Sequence, residues 1–318
     1  MRGMILAAGY GTRLGGLSDQ RPKPLLPVCD VPLVRWALAL LAAHDVHEVV
    51  VNTHHKGALL EAELGDEVLW SREPAEILGT GGGIRHARAL LGEGTFVVAN
   101  GKIVFDLDLA AALAHHRALG AVATLVVRPD PLAARWGAIE VGADGLVRSL
   151  LGAGGHMFTG VSLIEPALLD LLPDGPSCIV RQGYVPALAR GMRLGAHVAS
   201  GYFFEHSTPA RYLEGNLNLL CGRARVRHPP GPITGVSETA HVAAGTAIDP
   251  HTLVGVGATV GAAVRLGPGV VVGRDARVSA GADLERVVVW PLATATGHLR
   301  DVIVTPAGTF AATDTDGR

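Results

Sequence analysis

Counting in sixes from Val236 meets Val242, Ile248, Val254, Val260, Leu266, Val272, Val278 and Leu284, nine aliphatic residues held in one phase. With Val, Ile and Leu filling roughly a third of positions, such a run arises by chance on the order of once in ten thousand trials, and its period is that of the hexapeptide β-helix. Each rung would turn one aliphatic side chain inward, and stacked rungs bury a continuous apolar column. Gly255, Gly261, Gly267 and Gly273 follow four of these residues and are expected at corners, where tight turns tolerate no bulk. A β-sandwich with glycine-rich turns would alternate with a period of two and would not keep a strict six. A parallel β-helix with a terminal tail is therefore expected over 233–318, behind an Arg-, Pro- and Gly-rich linker at 223–232.

Residues 1–222 read differently. Short apolar runs at 3–8, 47–52, 68–70, 95–100 and 121–128 alternate with helical patterns at 33–43, 58–64, 84–91 and 109–118. Alternation of this kind predicts an α/β domain with a mostly parallel sheet, covered on both faces, whose ligands meet the carboxyl ends of the strands. A chain of 318 residues suits two such domains.

Composition narrows the partners. The 27 basic and 29 acidic residues leave a net charge of −2, so no overall field draws the chain to nucleic acid or to anionic lipid. Hydrophobic residues at 48% make a chain that collapses, and a small-molecule partner fits best. Three widely separated cysteines argue against a disulfide framework or a zinc site and for a reducing cytoplasm. The apolar stretch at the amino terminus is too short for a signal peptide or a membrane span, so folding is expected to begin at the first residue. Lys occurs only at Lys23, Lys56 and Lys102, the other 24 basic residues being Arg. A compact ammonium suits a phosphate oxygen, so each Lys is a candidate.

The first strand runs into Ala7-Ala8-Gly9-Tyr10-Gly11-Thr12-Arg13-Leu14. Two glycines let the backbone approach a ligand closely, with N–H groups and Arg13 toward phosphate. No Gly-Lys-Ser/Thr follows, which excludes a P-loop, and Leu14 stands where a dinucleotide fingerprint needs its third glycine. The second strand ends in Asn52 and Thr53, with no acid for a ribose hydroxyl. Further on, Arg21-Pro22-Lys23-Pro24-Leu25-Leu26-Pro27-Val28 places two cations on a segment stiffened by three prolines. Such a loop beside a glycine turn is suited to gripping a polyphosphate.

The run Leu6 to Leu14, continued by Pro22 to Val28 and Pro32-Leu33, resembles the signature of the sugar-1-phosphate nucleotidylyltransferases. Glu73 to Gly83, ending in Leu78-Gly79-Thr80-Gly81-Gly82-Gly83, is similar to the same family, as are Asn100-Gly101 and Phe158-Thr159-Gly160. The likeness covers most of residues 1–220. Members with a carboxyl-terminal left-handed β-helix, such as mannose-1-phosphate guanylyltransferases, resemble the rest. The resemblance implies a Rossmann-like domain that joins a nucleoside triphosphate to a sugar 1-phosphate, usually with Mg²⁺. By motif position it implies nucleotide contacts from Leu6, Ala7, Ala8, Gly9, Gly11, Thr12, Glu73, Gly79, Thr80, Gly81 and Asn100. It puts Gly101 and Gly160 at the sugar, Arg13 on the phosphates and Lys23 on the transferring phosphoryl group. A Glu73 carboxylate would accept from guanine, and equally from uracil or thymine.

Three departures stand out. Where the family reads Asn-Gly-Asp and uses the Asp for metal, this chain reads Asn100-Gly101-Lys102, and the second customary metal Asp is Glu205. No Glu-Lys-Pro occurs between Val147 and Phe158. Either Lys102 supplies in place the charge that Mg²⁺ and the missing Lys would bring, so transfer survives, or the chain binds nucleotide without turnover as a regulatory or assembly subunit. Asp108 is expected to cap the helix that follows it rather than replace a ligand. The histidine pairs at 54–55 and 115–116 lack metal spacing and read as solvated. The open ends of a short solenoid suit a homo-oligomer.

Overall fold

A computed structural model describes residues 1–73, 76–152 and 154–313, so Pro74 and Ala75 of the glycine-rich motif, and the end of the tail, lie outside the described residues. The chain forms two compact units that do not follow chain order. One gathers Met1–Gly9, Ala37–Gly101 and Phe105–Phe203; the other gathers Tyr10–Trp36, Lys102–Val104 and Phe204–Arg318. Regular structure lapses between the helix Pro209–Leu220 and the strand Gly235–Val236.

In the first unit the strand Arg2–Leu6 lies parallel between Val49–Thr53 and Phe96–Asn100, and Leu69–Arg72 extends the parallel set. Parallel neighbours need crossovers, which the helices Leu33–Ala42, Gly57–Leu64 and Gly79–His86 provide. The strand His156–Ile164 runs antiparallel to Phe96–Asn100 and to Ala123–Pro129, so the sheet of nine strands is mixed where alternation alone suggested few reversals. Met4, Val50, Phe96, Val98, Leu125 and Tyr184 belong to the core beneath it.

The glycine-rich motif corrects the expected start of the third helix. It begins at Gly79 and not at residue 84, so Gly81, Gly82 and Gly83 lie inside a helix where glycine is ordinarily unfavourable. The reason is crowding. A Cβ on Gly81 would stand 2.7 Å from the Ser177 hydroxyl, and one on Gly83 would stand 2.6 Å from a carboxylate oxygen of Glu73.

His116 is also corrected. It is buried, with Nδ1 at 2.8 Å from the Thr124 hydroxyl and Nε2 at 2.9 Å from Glu165. One helical turn after buried Ala112, position 116 faces inward on the helix Leu109–Leu119. Asp108 does cap that helix, accepting from the Ala111 N–H at 2.9 Å.

In the second unit the hexad residues stack as read. Val236, Val254 and Val272 pair in register, as do Val242, Val260 and Val278, and Ile248, Leu266 and Leu284, each partner eighteen residues on. Three sixes thus close one coil of a parallel solenoid. Val254, Val260, Leu266, Val272, Val278 and Leu284 are all buried, whereas Val236 at the open end is 46% exposed. The other end closes with an antiparallel hairpin, His298–Thr305 with Gly308–Ala311.

The corner glycines act differently from expectation. The left-handed corners include Gly257, Ala263, Gly269, Asp275 and Gly281, six apart, at φ between 54° and 75°. Gly261 and Gly273 are instead needed because a Cβ would meet the backbone of the next coil at 2.6 and 2.7 Å. If the column carries the stability of the solenoid, Leu266→Ala should cost about 2–5 kcal/mol by denaturant unfolding. Val236→Ala should cost less than about 0.5 kcal/mol; equal losses would show that the aliphatic column is not what holds the coils.

Candidate functional site

The first unit brings eleven of the motif residues to the carboxyl ends of its parallel strands and the loops that follow. Leu6 is in register with Asn52 on one side and Asn100 on the other, so three strands end together. Asn52 is the hub. Its Oδ1 accepts from the Ala7 N–H at 2.7 Å and its Nδ2 donates to Glu73 at 2.7 Å. The other Glu73 oxygen accepts from the Leu78 N–H at 2.7 Å, and Glu73 itself is buried. Glu73 is therefore no solvated loop acid. Among the described residues each of its oxygens accepts one such bond, and a carboxylate oxygen has a further lone pair for a donor.

The glycine helix packs on the segment that follows residue 174. The Gly81 N–H donates to the Ser177 carbonyl at 2.8 Å, and the Thr80 hydroxyl accepts from the Ile179 N–H at 3.0 Å. Gly79 is left-handed at φ 68°. Gly101 closes the strand end by donating to the Leu6 carbonyl at 3.0 Å. Gly160 is left-handed at φ 80°, and a Cβ there would overlap the Asn100 amide, so only glycine serves. Ala8 is buried, and Gly9 is exposed with open space where a Cβ would be.

The second unit assembles the cationic residues. Gly11, left-handed at φ 71°, starts a single helical turn at Thr12–Leu14 that exposes Thr12 and Arg13. A Cβ on Gly11 would lie 3.6 Å from the Lys23 Cβ, so the glycine turn backs directly onto the stiff segment. Lys23 is 8% exposed. The Lys102 ammonium donates to Glu205 at 2.6 Å, and Arg13 reaches the same carboxylate oxygen at 3.7 Å. Burial, then the like charges of Lys102 and Arg13, lower the Lys23 ammonium to about 8, against the pull of Glu205. Burial alone would raise the Glu205 carboxyl, but Lys102 foremost, with Lys23 and Arg13, outweighs it and holds the group below the usual range.

His206, next in the chain, was not singled out by the sequence. It is fully buried, neither ring nitrogen has a hydrogen-bond partner among the described residues, and its pKa falls to about 3 through burial and then Arg211. Its backbone N–H donates to the Lys102 carbonyl at 3.2 Å, and its neutral ring packs edge-on to Phe204 and Tyr212. Only its place beside Glu205 hinted at it.

These residues do not fit a divalent cation. Magnesium asks for carboxylate and other oxygen ligands, whereas Lys102 presents an ammonium and Glu205 is already paired with two cations. Among the described residues no group of three His, Cys, Asp or Glu side chains could hold a metal ion, and no helix is long and apolar enough to cross a membrane.

Residues 2–151 match the nucleotidyl transferase family. Mannose-1-phosphate guanylyltransferase of Mycobacterium tuberculosis is 31% identical over 306 residues, 89% of this chain and 82% of that protein. N-acetylmuramate alpha-1-phosphate uridylyltransferase of Neisseria meningitidis is 36% identical over 184 residues, 55% of this chain and 80% of that one. The solved structure of HddC from Yersinia pseudotuberculosis shares the fold, with a TM-score of 0.58 at 22% identity over 67% of this chain and 97% of that one. With its glycine turn, its proline-stiffened lysine segment and a relative matched along nearly the whole chain, this protein belongs to the sugar-1-phosphate nucleotidylyltransferase family.

Proposed function

We infer that the chain condenses a nucleoside triphosphate with a sugar 1-phosphate to give an NDP-sugar and pyrophosphate, with Lys102 in the place of a metal-binding carboxylate. The observation that carries this is the group of Lys23, Lys102 and Arg13 around the single carboxylate of Glu205. In the transfer, a phosphate oxygen of the sugar 1-phosphate bonds to the α-phosphorus. The bond from that phosphorus to the oxygen bridging to the β-phosphorus breaks, and pyrophosphate leaves with the electron pair. Both reactants are anions, so the step needs fixed positive charge where negative charge gathers. Lys23 is assigned to the transferring phosphoryl group, Arg13 to the phosphate tail, and Lys102 to the charge a divalent ion would otherwise bring.

Glu73 is assigned to the base, where it accepts from N–H groups of guanine or equally of uracil or thymine. A GDP-mannose-like product, a left-handed sense for the solenoid, a homo-oligomer and a cytoplasmic setting complete the reading. A second reading, nucleotide binding without turnover, is favoured by one observation: the Lys102 ammonium is already committed to Glu205 at 2.6 Å.

Purified protein given a panel of nucleoside triphosphates and sugar 1-phosphates, with Mg²⁺ or with chelator, separates the two by pyrophosphate release. Turnover that survives chelation and falls roughly 10²-fold in Lys102→Ala supports Lys102 as the substituted charge. Calorimetric binding with no pyrophosphate under any pairing supports the second reading. The lowered Lys23 pKa adds a signature. Lys23 is charged below about pH 8, so affinity for inorganic triphosphate should weaken as pH rises through that value. In Lys23→Met the affinity should be weak and flat over the same range; an unchanged slope would remove Lys23 from the phosphate site.

A further inference from the structure

Lys23 is held where its own electrostatics do not favour it. Burial and the like charges of Lys102 and Arg13 disfavour the charged ammonium against the pull of Glu205, so a buried charge there depends on a backbone that does not move. Something must fix the backbone that carries it.

The strands Pro27–Val28 and Val31–Pro32 form a hairpin through Cys29 and Asp30, which stand at φ 47° and 61°. A turn with both centres left-handed ordinarily takes Asn-Gly, since other side chains are strained there. This turn is held from outside instead. The Cys29 N–H donates to Oδ1 of Asn216 at 2.8 Å. Asp30 accepts the N–H of Arg274, a residue of the solenoid, on both carboxylate oxygens at 2.9 and 3.0 Å. A Cβ on Gly255 or Gly273 would come within 2.6 or 2.8 Å of those oxygens, so these two glycines also clear the approach of Asp30. Where the hairpin begins, the Tyr212 hydroxyl donates to the Pro27 carbonyl and accepts from the Trp290 indole N–H at 3.1 Å. The Arg21 guanidinium lies over the same indole, 5.6 Å from a ring centroid. Tyr212, Asn216 and Trp290 are fully buried.

We propose that the solenoid and the helix Pro209–Leu220 form a clasp on residues 21–30, with Asp30, Tyr212 and Trp290 as positioning residues that keep Lys23 in place for phosphate. Pro27 and Cys29 are held by the buried Tyr212 and Asn216, and Asp30 by a backbone N–H of the solenoid, which is the preorganisation a phosphate ligand needs. The part concerning phosphate rests on the functional reading above; the clasp itself does not.

Hydrogen exchange over residues 22–28 and the affinity for inorganic triphosphate test it on the full chain. Asp30→Ala and Tyr212→Phe are expected to speed exchange of that stretch about tenfold, while the coils carrying Val260 and Val278 exchange as before. Both are expected to weaken triphosphate binding about tenfold. Asp30→Asn keeps an acceptor for the Arg274 N–H and is expected to recover both. Unchanged exchange in the two variants overturns the clasp. Faster exchange with undiminished affinity overturns its positioning role, as does Asp30→Asn behaving like Asp30→Ala. If the unaltered protein binds no triphosphate, the functional reading falls, and the exchange measurement alone decides whether the clasp exists.

Discussion

One carboxylate, that of Glu205, balances three cations in the second unit. At 2.6 Å from Lys102 it makes a short charge-assisted bond, and at 3.7 Å it meets Arg13. Without it the like charges of Lys102 and Arg13 on Lys23 would have no counterweight from this carboxylate. With it, the group keeps an excess of positive charge in a partly desolvated place, the condition under which phosphate oxygens are bound strongly. The same pairing occupies the carboxylate of Glu205 with two cations, so the excess of positive charge and the poor fit to a divalent cation have one cause.

Glycine in this protein has two uses, and one of them is to make room. Gly81 and Gly83 lie in a helix because Ser177 and the Glu73 carboxylate press against them. Gly261 and Gly273 lie beside neighbouring coils for the same reason, while a separate series supplies the left-handed corners. Conformational freedom and close approach are distinct uses of the missing Cβ, and a sequence writes both with the same letter. Only the neighbour that would collide tells them apart, and that neighbour comes from elsewhere in the chain.

Much of the site was legible. The glycine turn and the Lys23 segment are runs of consecutive residues, so a motif presents them as candidates without any knowledge of the fold. Asn52 was not legible, because an Asn closing an apolar strand is ordinary until the strand Arg2–Leu6 and the Glu73 loop are placed on either side of it. His206 and Tyr212 escaped for a similar reason, their roles depending on burial against distant residues. His116 read as solvated because its partners Thr124 and Glu165 belong to later elements.

The amino-acid order by itself determined the solenoid, since a strict period of six requires that the inward position recur once per face and eighteen residues make one coil. It also determined the crossover helices Leu33–Ala42 and Gly57–Leu64 and the cap at Asp108, because these follow from local periodicity and local hydrogen bonding. The division of the chain was decided in three dimensions. Tyr10–Trp36 and Lys102–Val104 join the unit that contains the solenoid, although both are interleaved in sequence with the sheet. Which residues hold Lys23 was decided there too, for Asp30 and Arg274 are 244 positions apart. No short-range pattern encodes a hydrogen bond of that reach; it exists only once both ends have folded.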